Sequence, residues 1–198
     1  MKKFMKHILA LAIVFATLSS NATEHTFLNN EEDGKTILKF GKVNQGDQLT
    51  VKDAFGLILY KEAIIENGQY NKSFDLTALP NGNYIFELDK QNQIRVYPFT
   101  VDINVVTFNK EKVSVLNKPK VTSNNNNIYI TAQNPEQVNY TIEIFYDSVE
   151  NTNEKIYSGT FKNTTTMGKK FRLLEDKDEA YKVVVTANGR SFTSTINF

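Results

Sequence analysis

The chain predicts an all-β protein built as two tandem β-sandwich domains. Three observations carry this. Short segments that alternate apolar and polar residues follow one another at close spacing, bounded by turns rich in Gly, Asn and Asp. No long window sustains apolar residues at the i, i+3, i+4, i+7 spacing of an amphipathic helix. Finally, one pattern occurs twice: Tyr60, Phe74 and Tyr84 recur as Tyr157, Phe171 and Tyr181, each 97 positions on. A fixed period marks one structural unit built twice. The surroundings agree in kind, with Tyr84-Ile85-Phe86-Glu87-Leu88 answered by Tyr181-Lys182-Val183-Val184-Val185.

The elements follow in order. Residues 23–34 are polar and read as an irregular start. Strands are expected over 36–40 and 48–52, and Asp53-Ala54-Phe55-Gly56 supplies a turn with glycine available for positive φ. Residues 57–63 form the return strand, although 54–65 is also the one stretch compatible with a short helix. Asn67-Gly68 turns the chain into a strand over 70–76. At Leu79-Pro80-Asn81-Gly82 proline presets φ and glycine permits a sharp corner. Strands over 84–88 and 94–101 close the first unit. The second repeats the plan, with strands over 128–131, 139–146, 155–161, 170–174, 180–187 and 191–198, and Asn188-Gly189 as its last hairpin turn. The expected organisation is a signal segment over 1–22, one sandwich over 23–104, a linker over 105–112 and a second sandwich over 113–198.

A sandwich needs a large side chain at the start of the strand that crosses between its sheets. There the ring fills the end of the core, and its hydroxyl reaches a backbone group at the corner. Tyr84 and Tyr181 stand at these positions and are expected to form tyrosine corners.

The N-terminus has the three parts of a secretory signal. Lys2, Lys3 and Lys6 precede an apolar run over 8–18, and Ser20-Asn21-Ala22 offers small residues for cleavage after Ala22. The run is too short to cross ~30 Å of hydrocarbon with ease. The chain has no cysteine, which excludes a lipid-anchored thioether and means that the sandwiches are held by packing rather than by disulfides. Removal of the signal leaves 20 basic against 22 acidic side chains. That balance provides no basic surface for nucleic acid and no polybasic membrane patch. The expected location is the periplasm, the outer surface or the medium, with no membrane span after cleavage.

Leu49-Thr50-Val51-Lys52-Asp53-Ala54-Phe55-Gly56-Leu57-Ile58-Leu59-Tyr60, Phe74-Asp75-Leu76 and Leu79-Pro80-Asn81-Gly82-Asn83-Tyr84 together resemble the secreted immunoglobulin-like modules of Bacteroidota. These include type 9 secretion C-terminal sorting domains and the DUF3244-like small secreted proteins. The resemblance covers about a quarter of the chain well and lies in the first unit. It implies immunoglobulin/fibronectin-III-like sandwiches, a periplasmic or surface location and no catalytic role.

The residue inventory points the same way. There is no Cys and no Gly-x-Ser-x-Gly elbow, and the only histidine beyond the signal is His25, in the polar N-terminal stretch. No cofactor or metal site is expected. Glu175-Asp176-Lys177-Asp178-Glu179 lacks the ligand spacing of a calcium loop and reads as a solvated turn, as does Glu31-Glu32-Asp33. The sequons at Asn71, Asn139 and Asn163 are incidental in a chain rich in Asn and Thr. Asp147-Ser148-Val149 resembles the Asp-Ser/Thr-apolar motif of bacterial O-glycosylation, which makes Ser148 a candidate modification site.

The leading expectation is therefore a non-catalytic binding or structural protein acting through protein–protein contact at exposed strand edges, with residues 193–198 and 101–108 as candidate patches. One alternative is a carbohydrate-binding or adhesion module engaging a surface glycan, for which Tyr97, Tyr129, Tyr146 and Tyr157 are the candidate platform. The other is a hydrolase with an unrecognised site.

Overall fold

The architecture follows from the alternation of the strands. In the computed structural model, which describes residues 26–30, 35–147, 153–162, 165–172 and 180–197, nearly every described segment is strand or tight turn. The exception is a single 3₁₀ turn, Lys110–Lys112.

The first unit contains β1 (Thr26–Asn30), β2 (Thr36–Val43), β3 (Gln48–Asp53), β4 (Ile58–Ala63), β5 (Gly68–Phe74), β6 (Gly82–Asp89) and β7 (Gln93–Asp102). After these come β8 (Val105–Phe108) and β9 (Ser114–Asn117). The second unit contains β10 (Lys120–Asn124), β11 (Asn127–Gln133), β12 (Tyr140–Asp147), β13 (Glu154–Phe161), β14 (Thr166–Arg172), β15 (Ala180–Ala187) and β16 (Arg190–Asn197).

All pairings are antiparallel, and the two units share one topology. A three-stranded sheet, β1-β2-β5, faces β4-β3-β6-β7-β8, and likewise β10-β11-β14 faces β13-β12-β15-β16. Three strands against four, with β8 and β9 added in the first unit, and with these crossovers, is the immunoglobulin/fibronectin-III-like sandwich that the sequence predicts. The hydrophobic residues form two clusters. One centres on Leu38, Leu49, Phe86 and Phe99, the other on Ile128, Tyr140, Ile142 and Val183. Each such fully buried side chain contributes about 2 kcal/mol by removal from water.

The repeat is reproduced in three dimensions. Tyr60 meets Phe74 edge-on at 5.3 Å, and Tyr157 meets Phe171 edge-on at 4.6 Å. The ladder between β3 and β4 skips Leu59, and that between β12 and β13 skips Ile156. These two β-bulges are again 97 residues apart. Each leaves its apolar side chain exposed and twists an edge strand away from regular pairing.

Local chemistry sets the turns. Asp53 Oδ1 accepts from the backbone N–H of Phe55 and of Leu57, both at 2.9 Å, and Gly56 takes φ of +85°. This Asx cap turns β3 into β4 and leaves 58–63 as strand, so the short-helix alternative over 54–65 does not form. Asn125 and Asn126 turn β10 into β11 with φ of 47° and 55°. Asn188-Gly189 does the same for β15 and β16, with 49° and 73°.

Two segments depart from expectation. Thr26–Asn30, read as irregular from its polar flanks, pairs with β2 over five positions. Residues 105–112, read as a linker, instead hold β8 and the 3₁₀ turn. The chain reverses at Ile103-Asn104, β8 pairs with the end of β7, and β9 pairs with its beginning. Between these two pieces the 3₁₀ turn loops out opposite Pro98, which has no N–H to offer the ladder. Val106 and Phe108 thereby enter the first core. The sequence hides this reversal because its first turn residue is β-branched: Ile103 sits at φ of 44° with 79 % exposure. Such a residue costs about 1–2 kcal/mol in the left-handed region. Ile103→Asn is expected to raise stability by about 1 kcal/mol in urea titration, and an unchanged midpoint would contradict the strain.

The return along β7 places the start of the second unit beside the β6–β7 turn of the first. Ile94, Val96 and Leu116 pack into the second core, and Tyr140 Oη donates to the carbonyl of Asn117 at 3.2 Å. Arg190 grips Glu87 with two bonds, Nη1 to Oε1 at 3.1 Å and Nη2 to Oε2 at 2.5 Å, while Lys52 Nζ donates to Oε1 at 2.9 Å. The outer face of the first unit's larger sheet is thus partly covered by the second unit.

Candidate interaction edges

Each residue singled out in the sequence has a definite position, or lies outside the described residues. Tyr84 is 7 % exposed, its ring stacks on Phe99 at 5.4 Å, and its hydroxyl donates to the carbonyl of Pro80 at 2.7 Å. Tyr181 is buried at the equivalent place beside Tyr146 at 5.4 Å. Ser148, His25, residues 31–33 and residues 175–179 lie outside the described residues.

The four candidate platform tyrosines do not form an exposed row. Tyr97 is fully buried in the first core, against Phe40. Tyr157 and Tyr146 are half-buried and pack on the second core. Tyr129 is half-buried under the Lys170 ammonium, 5.6 Å from its ring centre. Alternation explains this, because three of the four rings stand on the inward face of their strands.

A polar cluster closes the open side of the first sandwich, where β4 and β5 are edges of opposite sheets. Lys72 Nζ donates to Glu62 Oε2 at 2.8 Å and to Tyr60 Oη at 2.6 Å, Tyr70 Oη donates to Glu62 Oε2 at 2.9 Å, and Tyr60 Oη donates to the same oxygen. Burial first, and then the Glu62 carboxylate, push the Tyr70 phenol well above its ordinary value. The Lys72 hydrogen bond holds the Glu62 carboxyl below the usual range, and the Glu62 bond raises the Lys72 ammonium. Every shift favours the protonation state already present at neutral pH. The cluster acts as a lock between two edges. In the second unit Gly159 stands in place of Glu62, directly under the Tyr157 ring.

Among the described residues no group of three His, Cys, Asp or Glu side chains could hold a metal ion. Among the same residues no helix is long and apolar enough to cross a membrane. A groove of about 490 Å³ lies between the units and is lined mainly by amide, hydroxyl and lysine side chains such as Asn92, Asn117, Lys118 and Thr166.

The sheet edges differ in how they are protected. β4 carries its bulge, Lys61 and Glu62, and β14 carries Lys169 and Lys170. β13, eight residues long, carries Glu154, Lys155 and the bulge at Ile156. At the other side of the first unit's larger sheet, β8 and β9 form a broken border of four residues each. Bulges, charges and short strands are the usual means of blunting an edge. Beyond Arg190, β16 has none of them. It spans eight residues, pairs with β15 without a shift, and has no charge or proline from Ser191 to Asn197. Among the described residues nothing pairs with its outer edge, although β10 of the facing sheet runs nearby.

Of the two candidate patches, 101–108 is divided: Ile103 and Val105 are exposed and β8 stands at the border of its sheet, whereas two other apolar residues turn inward. Val101 and Val106 are buried opposite each other within one sheet, because the chain folds back on itself there. The segment 193–197 stands at the open edge of β16. Sequence reasoning missed the apolar tip of the β3–β4 hairpin, where Phe55 is 96 % and Leu57 63 % exposed. The adjacent Leu57-Ile58-Leu59-Tyr60 run lies in the return strand, and the bulge at Leu59 leaves Ile58 and Leu59 exposed together.

No family model matches the chain, and no curated protein matches it. Among solved structures, one similar chain is a "Biofilm associated protein - BSP domain", at 11% identity over 81% of this chain, with a TM-score of 0.25. This chain spans only 27% of that one. Another is the "Human OSCAR ligand-binding domain", at 8% identity over 87% of this chain and 97% of that one, also with a TM-score of 0.25.

Proposed function

We infer that this is an exported, non-catalytic binding protein of the periplasm or cell surface that engages a protein partner by strand addition. The observation that carries the reading is the unprotected eight-residue edge of β16 beside β4, β8, β9, β13 and β14, which are short, charged or bulged. An open edge offers a row of N–H and C=O groups, and an added strand satisfies them with main-chain bonds. Export is supported by the cationic, apolar and small-residue order of residues 1–22. The scattered burial of Tyr97, Tyr129, Tyr146 and Tyr157 favours a protein partner over a glycan.

The test is photo-crosslinking in the producing cell. p-Benzoylphenylalanine placed at Thr195, on the β16 edge, is expected to give a discrete protein adduct, whereas the same group at exposed Thr122 is expected to give none. No adduct from Thr195, or equal adducts from both positions, would overturn the reading.

A further inference from the structure

We propose that the β16 edge pairs with β16 of a second copy, giving a dimer with one sheet continuous across the two second units. The inference rests on the strand-addition reading above and specifies its partner.

The first observation is the contrast between the two units. β7 and β16 are the same strand of the repeat, 97 residues apart. On β7 the inward residues Tyr97, Phe99 and Val101 are only 1–3 % exposed, because β8 lies against that edge and adds Val106 and Phe108 to the core. Phe99 and Phe108 pair directly across the ladder, with ring centres 5.4 Å apart. On β16 the inward residues Phe192, Ser194 and Ile196 remain half-buried. Among the described residues, nothing covers this edge of the second unit as β8 covers the first.

The second observation is that β16 is complementary to itself. The turn Asn188-Gly189 makes Ala187 and Arg190 the hydrogen-bonded closing pair of the hairpin. Counting along the ladder, Ser191, Thr193, Thr195 and Asn197 aim their N–H and C=O groups away from β15. A twofold axis through Ser194 then sets Thr193 against Thr195 of the second copy as a hydrogen-bonded pair, and Ser191 against Asn197 in the same way. On the core side the same register places Phe192 against Ile196 of the second copy, with Ser194 facing itself as a non-bonded pair whose side chains come close. Each half-buried apolar residue receives the cover that Val106 and Phe108 give in the first unit. A slip of two residues sets Phe192 against Ser194 and loses this match. No like charges meet, since the segment from Ser191 to Asn197 is uncharged.

The full chain, studied by light scattering across a concentration series, is expected to show a monomer–dimer equilibrium. Thr193→Pro removes an outward N–H while leaving the β15 ladder intact, and should raise the dissociation constant at least about 10-fold. Because the native chain has no cysteine, Ser194→Cys provides an independent readout. Mild oxidation should link it to itself, whereas Ser191→Cys, which faces Asn197 rather than itself, should stay unlinked. A monomer at every concentration overturns the proposal, as does equal linkage of both cysteine variants, or a dimer indifferent to Thr193→Pro. A Thr195 photo-adduct to a different protein with no self-adduct would retain strand addition and discard the second copy.

Discussion

Tyr84→Ala should lower unfolding stability by about 3–5 kcal/mol, the range for removing a large aromatic from a core, whereas Tyr84→Phe should cost only about 1 kcal/mol, the net worth of one hydrogen bond. The two values separate two jobs. The ring stacks on Phe99 and seals the end of the first core, and the hydroxyl satisfies the carbonyl of Pro80 at the corner where the chain crosses between sheets. Without the ring, Phe99 and Phe86 border a cavity, since Phe86 packs on Phe99 at 5.2 Å. Without the hydroxyl alone, the exposed proline turn recovers its bond from water. Urea titration of both variants provides the measurement. A loss below 1 kcal/mol for Tyr84→Ala would mean that the corner does not hold the sandwich closed.

The second large effect is expected where the units meet. Arg190→Ala should destabilise the chain by about 2–3 kcal/mol, somewhat less than the loss of one partner from a fully buried pair, because Lys52 remains bound to Glu87. The Glu87 side chain is 6 % exposed against 29 % for Arg190. The variant therefore leaves a buried carboxylate with one cation where two stood. Burial pushes the Glu87 carboxyl up, but the hydrogen bonds and charges of Arg190 and Lys52 outweigh it, so the net value lies below the usual 4.5. A depressed folded value gives the sign. The contribution is complete above the ordinary carboxylate value and is lost as pH falls through the depressed one. The gap between wild type and Arg190→Ala should therefore be widest near neutrality and shrink below pH 4.5. A double-mutant cycle with Glu87→Gln isolates the coupling. A gap independent of pH, or a coupling near zero, would show that Ile94, Val96 and Leu116 hold the units together without the clasp.

These two sites were legible in the sequence to different degrees. Tyr84 was legible because a corner is local: Pro80, Gly82 and the tyrosine occupy five consecutive positions. Glu87 was not, because its partner is 103 residues away. A glutamate on the outward face of a central strand is as well suited to solvent as to an arginine from another unit. The exposure of the hairpin residues Leu57, Ile58 and Leu59 was not legible for a related reason. Alternation assumes a regular pleat, and one bulge redirects every side chain beyond it.

The sequence by itself determined that the protein is all-β, that it carries one unit twice, that the turns fall at Gly56, Gly82 and Asn188-Gly189, and that aromatic residues fill both cores. These are consequences of short-range sterics and of a two-residue period, and both are written along the chain. Only the tertiary structure decided that β8 and β9 fold back to cover β7, that the second unit docks on the outer face of the first, and that β16 keeps an open edge. Those outcomes depend on which surfaces meet after the strands exist, and long-range pairing leaves no local mark on the residues that make it.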